Sequence, residues 1–210
     1  MGRTFDKSVG LKEEIVKVAI KIFSEKGYDA TNMTEIADIL GITRTPLYYH
    51  FNGKKDLYTQ AIKKHLATKR EIYAELAAES DEIFTWLHKH IKYACQNKSD
   101  AVLFNAFNYE EFRNLSDLNM ETNRYIYALK RRRVLRAVET GELPPDANID
   151  LLISNVYIVS YGLIHVINDS ILSHEIKYFP NRINELIDII IDEIRAVFCQ
   201  DHSVIKSNIG

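Results

Sequence analysis

Cysteine is nearly missing from this chain of 210 residues: Cys95 and Cys199 stand far apart and outside any C-x-x-C spacing. That excludes a disulfide-stapled scaffold and fits a reducing, cytoplasmic location. Only four prolines and eight glycines interrupt the chain, so long stretches run without a helix breaker. The opening MGRTFDKSVG has no apolar run of the kind an export signal needs. No G-x-S-x-G, P-loop or dinucleotide fingerprint occurs. His88 and His90 point to different faces of a helix, as do the neighbours Glu110 and Glu111. No enzyme activity, cofactor or metal site is therefore expected. Strand-like alternation, internal repeats and low-complexity tracts are absent as well, which makes the predicted fold class all-α.

Net charge is only −2, so bulk charge carries no hint of nucleic acid. Its distribution does. Residues 1–70 hold 13 Lys and Arg against 8 Asp and Glu, whereas residues 71–210 hold 14 against 21. The basic excess lies in the N-terminal third.

About nine helices are expected. In the first, Leu11, Ile15, Val18, Ala19, Ile22 and Phe23 form an apolar stripe that Gly27 closes. Later helices are predicted over residues 54–78, 81–97, 100–109, 116–140, 149–172 and after Pro180, with Gly141 and Pro144-Pro145 ending one of them. The last two are apolar most of the way round. A membrane span is a poor reading, because residues 151–167 are short, contain Ser154, Asn155, Ser160 and His165, and lack basic anchors. No membrane partner is expected. Packing inward on the same subunit and outward on a twin explains the pattern better. Val156, Ile164, Ile167, Ile187, Ile190, Ile191 and Ile194 are the candidate positions of this homodimer interface.

The chain is organised around NMTEIADILGITRTPLYYHFNGKK, residues 32–55. Asn32 is a good N-cap and Glu35 stands where a capping box needs it. Ile36, Ala37 and Leu40 share one face, Gly41 ends the helix, Ile42 plugs the turn, and Thr43 can cap the next helix. Pro46 falls in a first turn, where its missing N–H costs nothing. Leu47 and Phe51 then point inward, and Arg44, Thr45, Tyr48, Tyr49 and His50 point elsewhere. The pattern is a helix-turn-helix. Such a unit offers both kinds of DNA contact. Tyr48, Tyr49 and His50 supply donors for phosphates, Lys54 and Lys55 supply charge, and Thr31 with the N–H groups behind Asn32 can meet a phosphate. Arg44 can pair with guanine, and Thr45 or Pro46 can meet a thymine methyl.

The block GYDATNMTEIADILGITRTPLYYHFNGKKDL resembles the DNA-binding domain of the TetR/AcrR family of bacterial transcription regulators. LYYHF followed by two lysines is the most specific part of the likeness, which covers about residues 11–60. Pro46 departs from it only at positions that vary within the family. The resemblance implies that Thr31, Tyr48, Tyr49, His50 and Lys54 contact the DNA backbone. It also implies three segments: a helix-turn-helix domain over residues 1–55, a helical ligand-binding and dimerisation domain over 56–200, and a frayed tail over 201–210. The expected function is a dimeric repressor on double-stranded DNA, released from a palindromic operator by an apolar or aromatic small-molecule effector. Trp86, His90, Tyr93, Phe104, Asn108, Tyr125, Tyr161 and His165 are candidate pocket residues. The rival expectation is a helical dimer that chiefly binds a ligand or protein, with weak non-specific DNA binding. The run Lys130-Arg131-Arg132-Arg133 reads as a solvated helix end that complements the dipole, the alternative being that one arginine turns inward toward an anionic effector such as a fatty acyl group.

Overall fold

The structure, a computed structural model, describes residues 7–79, 81–96, 103–168 and 183–199. Every regular element among them is helical. Helix α1 (Lys7–Ala30) buries Ile15, Ala19, Ile22 and Phe23 as its stripe predicts. It breaks at Gly27, whose φ of 77° and ψ of 178° suit only a residue without Cβ.

Helix α2 (Met33–Leu40) opens on Asn32, whose Oδ1 accepts from the Thr34 N–H at 2.9 Å. The reciprocal half of the box is not made, because the Glu35 carboxylate pairs with Lys26 instead. Gly41 turns left-handed (φ 64°, ψ 28°), and the Ile42 N–H donates back to the Ala37 carbonyl at 3.0 Å. Thr43 occupies the N-cap of α3 (Arg44–His50), yet its hydroxyl makes no capping bond. An N-cap side chain bonds the second or third helical N–H, and the third residue here is Pro46, which has none.

Helix α4 (Lys54–Ala78) starts and stops where expected, and its Leu57, Tyr58, Ala61, Ile62 and Leu66 are all buried. Of the α-helix expected over 100–109, residues 100–102 lie outside the described residues and Leu103 is helical, but the α-helix does not continue to 109. Residues 105–112 instead form two 3-10 turns, Asn105–Asn108 and Glu110–Phe112. Ala106 in the first turn and Phe112 in the second are buried in the core, as is Leu103 just before them. Three long helices follow: α6 (Arg113–Glu139), α7 (Ile149–Asn168) and α8 (Ile183–Cys199), with α5 (Ile83–Gln96) before the turns. The expected extension of α7 to residue 172 and the frayed tail lie outside the described residues.

The chain divides into two compact units, Met1–Ile72 with Ser99–Tyr125, and Tyr73–Lys98 with Ile126–Gly210. Compactness thus cuts the chain elsewhere than the functional boundary expected after residue 55. The first turns of α4 supply Leu57, Tyr58, Ala61 and Ile62 to the same core as α1 and α2. The second unit has its own core, built from α5, the later part of α6, α7 and α8. Helix α7 is long and apolar enough to cross a membrane by length and composition alone. Leu152, Ile153, Val156 and Leu163 on it lie in that core.

Candidate functional site

In the first unit, Leu47 and Phe51 are 0% and 1% exposed, and they anchor α3 against α1 and α2. Burying two such side chains stabilises the unit by roughly 1.5–3 kcal/mol each. What is left over faces outward: Tyr48 and Tyr49 are 56% and 80% exposed, and Arg44 and Thr45 are exposed as well. Two bare tyrosines and an arginine side by side on one short helix serve no internal packing. Pro46 and His50 are half-buried, the His50 ring lying edge-on to Tyr49 at 5.0 Å.

The remaining candidates prove to be occupied. Thr31 is buried and its hydroxyl donates to the Gly27 carbonyl at 2.7 Å, so its side chain does not reach a phosphate. Lys54 donates to the carbonyls of Asp29 and Thr31, both at 3.2 Å, with its ammonium 4.5 Å from the Tyr28 ring centre. It ties down the turn between α1 and α2 rather than standing free. Lys55 is exposed and pairs with Glu111 at 2.9 Å, and Asn32 is exposed at the start of α2. A surface pair of this kind is weak and can be exchanged for a phosphate.

The pocket candidates scatter. Phe104 and Tyr125 fall in the first unit, Tyr125 beneath the Arg70 guanidinium at 4.4 Å. Asn108, Tyr161 and His165 are exposed. Trp86 and His90 come together in the second unit, where they line a cavity of about 10 Å³ with Lys130 and apolar residues of α6 and α7. Tyr93 is half-buried nearby, edge-on to Tyr73. Desolvation by burial, helped by the Lys130 charge, holds the His90 imidazole well below its usual pKa, so the ring is neutral.

Lys130 and Arg133 correct the solvated reading of the basic run. Both are buried, while Arg131 and Arg132 face water. Arg133 donates to the Asp81 carbonyl and to Glu142 Oε2, the latter at 3.2 Å. Lys130 Nζ lies 3.8 Å from the Tyr157 ring centre. The signal was there: Ile126, Lys130, Arg133, Val134 and Ala137 make one stripe at helical spacing, and its two cations stand at core positions.

The interface candidates also need correction. Val156, Ile187, Ile191 and Ile194 are consumed by the core of their own unit. Ile164 and Ile190 are half-buried, and the Ile167 side chain lies outside the described residues. The apolar side chains exposed on the same two helices are Leu151, Ile158 and Tyr161 on α7, with Ile189 and Val197 on α8. In a run apolar nearly all round, the sequence offers no contrast by which to choose between the two faces.

Among the described residues no group of three or more His, Cys, Asp or Glu could hold a metal ion. Cys95 is buried, which pushes its thiol up to about 11, and it is inert at neutral pH.

Residues 15–61 match the family model described as bacterial regulatory proteins, tetR family. Over 53 residues the chain is 47% identical to the biofilm operon icaADBC HTH-type negative transcriptional regulator IcaR of Staphylococcus aureus. That match spans 25% of this chain and 28% of the relative. Among solved structures, the regulator FadR of Bacillus subtilis, in complex with stearoyl-CoA, aligns at a TM-score of 0.58 and 16% identity, covering 87% of this chain and 96% of that one. A TetR/AcrR-family regulator of Thermobifida fusca aligns at 0.58 and 22%, covering 88% and 96%. At these identities the likeness establishes the fold.

Proposed function

On the premise that the chain belongs to the TetR/AcrR family of transcriptional regulators, we propose that it is a cytoplasmic, sequence-specific repressor, dimeric on a palindromic operator and released by a small-molecule effector. The observation that carries the reading is the outward face of α3. Leu47 and Phe51 hold the helix from behind, so Arg44, Thr45, Tyr48 and Tyr49 project together and match what a major groove requires. Arg44 reads guanine in the first turn, and the two tyrosines meet phosphates on either side. Lys55 and the start of α2 add backbone contacts, while Thr31 and Lys54 hold the turn that aims them.

A twin copy completes the reader. Leu151, Ile158 and Tyr161 of α7 with Ile189 and Val197 of α8 form the dimer surface, since large exposed apolar side chains favour association. The effector enters the second unit. Helices α4 and α6 each contribute to both units, which gives a continuous element through which a ligand can bias the spacing of the two reading heads.

The test is a gel shift with DNA from upstream of the protein's own gene, titrated with salt and with unrelated competitor DNA. The reading expects a discrete complex that survives excess competitor and weakens steeply with salt. Binding that competitor removes as readily as promoter DNA would favour the ligand- or protein-binding alternative.

A further inference from the structure

Lys54 and Lys55 open α4 side by side, and the structure uses them in opposite ways. Lys54 is spent within the first unit, on the Asp29 and Thr31 carbonyls and the face of the Tyr28 ring. Lys55 faces water, and its ammonium reaches the Glu111 carboxylate at 2.9 Å. Of the two lysines, it is the one left over for a phosphate.

Glu111 belongs to the second 3-10 turn, Glu110–Phe112, and that turn is pinned on both sides of it. Phe112 is fully buried and lies edge-on to Tyr28 and Tyr58, 4.9 Å from each ring centre. Tyr109 donates to the Asp29 carboxylate at 2.5 Å. All of these residues lie in the first unit. The backbone that carries Glu111 is thereby fixed beside the first turn of α4, with its carboxylate within reach of Lys55.

The pair adds little to the fold. Its side chains are 56% and 42% exposed, and an ion pair in water is worth little to stability. Its consequence falls on DNA instead. A phosphate that takes Lys55 must first displace a carboxylate already bound to it, and that cost is the same for every base sequence.

We propose that Glu111 is an autoinhibitory residue, a built-in brake on DNA affinity that occupies the Lys55 ammonium in the free protein. The inference rests on the reading that α3 and the start of α4 lie along a duplex. It adds a residue outside the helix-turn-helix that opposes binding. Glu110, the preceding residue, provides a control: it carries the same charge but pairs with Arg113 at 3.1 Å.

The full chain and its variants are titrated by fluorescence anisotropy with a labelled duplex of mixed sequence, at several salt concentrations. Glu111→Gln should bind roughly two- to fivefold more tightly than wild type at low salt. That gain should shrink as salt rises, because salt weakens the pair that restrains Lys55. Glu110→Gln should not reproduce it, and in a Lys55→Met background Glu111→Gln should no longer produce it. Matching melting temperatures verify that the variants fold alike. No gain in Glu111→Gln, a gain that Glu110→Gln reproduces in full, or one that persists undiminished in Lys55→Met overturns the brake and leaves DNA reading by α3 standing. If neither wild type nor Glu111→Gln binds the duplex at the lowest salt, the DNA reading itself fails, and the brake with it.

Discussion

Asn105 lies directly against Gly27: its Oδ1 accepts from the Tyr28 N–H at 3.3 Å, and a Cβ on Gly27 would come within 3.0 Å of its Cγ. The first 3-10 turn is thereby fastened to the end of α1, just before the helix-turn-helix. Around this point Tyr109 donates to Asp29 at 2.5 Å and Phe112 packs edge-on to Tyr28. Gly27→Ala has two penalties, since φ of 77° is strained for any residue with a Cβ and the Asn105 amide must move. Loss of about 1–3 kcal/mol is expected in denaturant unfolding. Gly10→Ala is the control. It is helical with nothing within 4 Å, so it should be neutral or stabilising by up to about 1 kcal/mol.

Arg133 and Glu142 tie α6 to the start of α5. Besides accepting from Arg133, the Glu142 carboxylate accepts from the Ile83 N–H at 2.6 Å and the Thr140 hydroxyl at 2.9 Å. Burial raises its pKa, but these donors outweigh that, and the net direction is down. Arg133→Ala removes charge-assisted bonds and leaves acceptors unpaired, which should lower unfolding free energy by about 1.5–3 kcal/mol. Glu142→Gln should instead act mainly through pH. A depressed carboxyl contributes stability above its unfolded pKa that disappears as pH falls through the folded value, so the variant's stability should decline less than wild type below about pH 4.3.

His90 sets a second pH dependence. Its folded pKa lies well below 6.5 because burial and Lys130 oppose the charged form. The unfolded chain therefore binds more protons in acid, and stability should drop as pH is lowered from 7 through 6.5 and below. Subtracting the curve of His90→Phe, measured by urea unfolding at each pH, should isolate that decline. Parallel curves for the two proteins would contradict the placement of His90.

Ile158 and Tyr161 are 72% and 76% exposed on α7, so the proposed dimer buries them while the folded chain does not need them. Ile158→Asp should leave the helical circular dichroism unchanged and convert dimer to monomer in light scattering. Ile187→Asp, at a core position, should unfold the second unit instead.

Most of the helix-turn-helix could be read from the sequence because each local rule agreed with the next. Asn32, Gly41, Leu47 and Phe51 carry cap, turn and anchor in the order the motif demands, and the structure places all four accordingly. The bonds actually made at Glu35, Thr31 and Lys54 were not legible, since each polar side chain had a second partner that only tertiary proximity reveals. The 3-10 turns were hidden for a related reason: Leu103 and Ala106 stand three apart, a spacing that an α-helix and a tighter turn both place on one side. Lys130 and Arg133 were masked by their neighbours, because a run of four cations conceals which of them face inward.

The central claim is that the outward face of α3 reads DNA. Selection of bound duplexes from a randomised pool by the purified protein tests it most directly, run in parallel with Arg44→Ala. The account predicts enrichment of an inverted repeat by wild type. For Arg44→Ala it predicts an affinity for that repeat lower by about 1–3 kcal/mol and a relaxed preference at one position in each half-site. Enrichment of no motif over the starting pool, or the same motif bound equally well by Arg44→Ala, would contradict it.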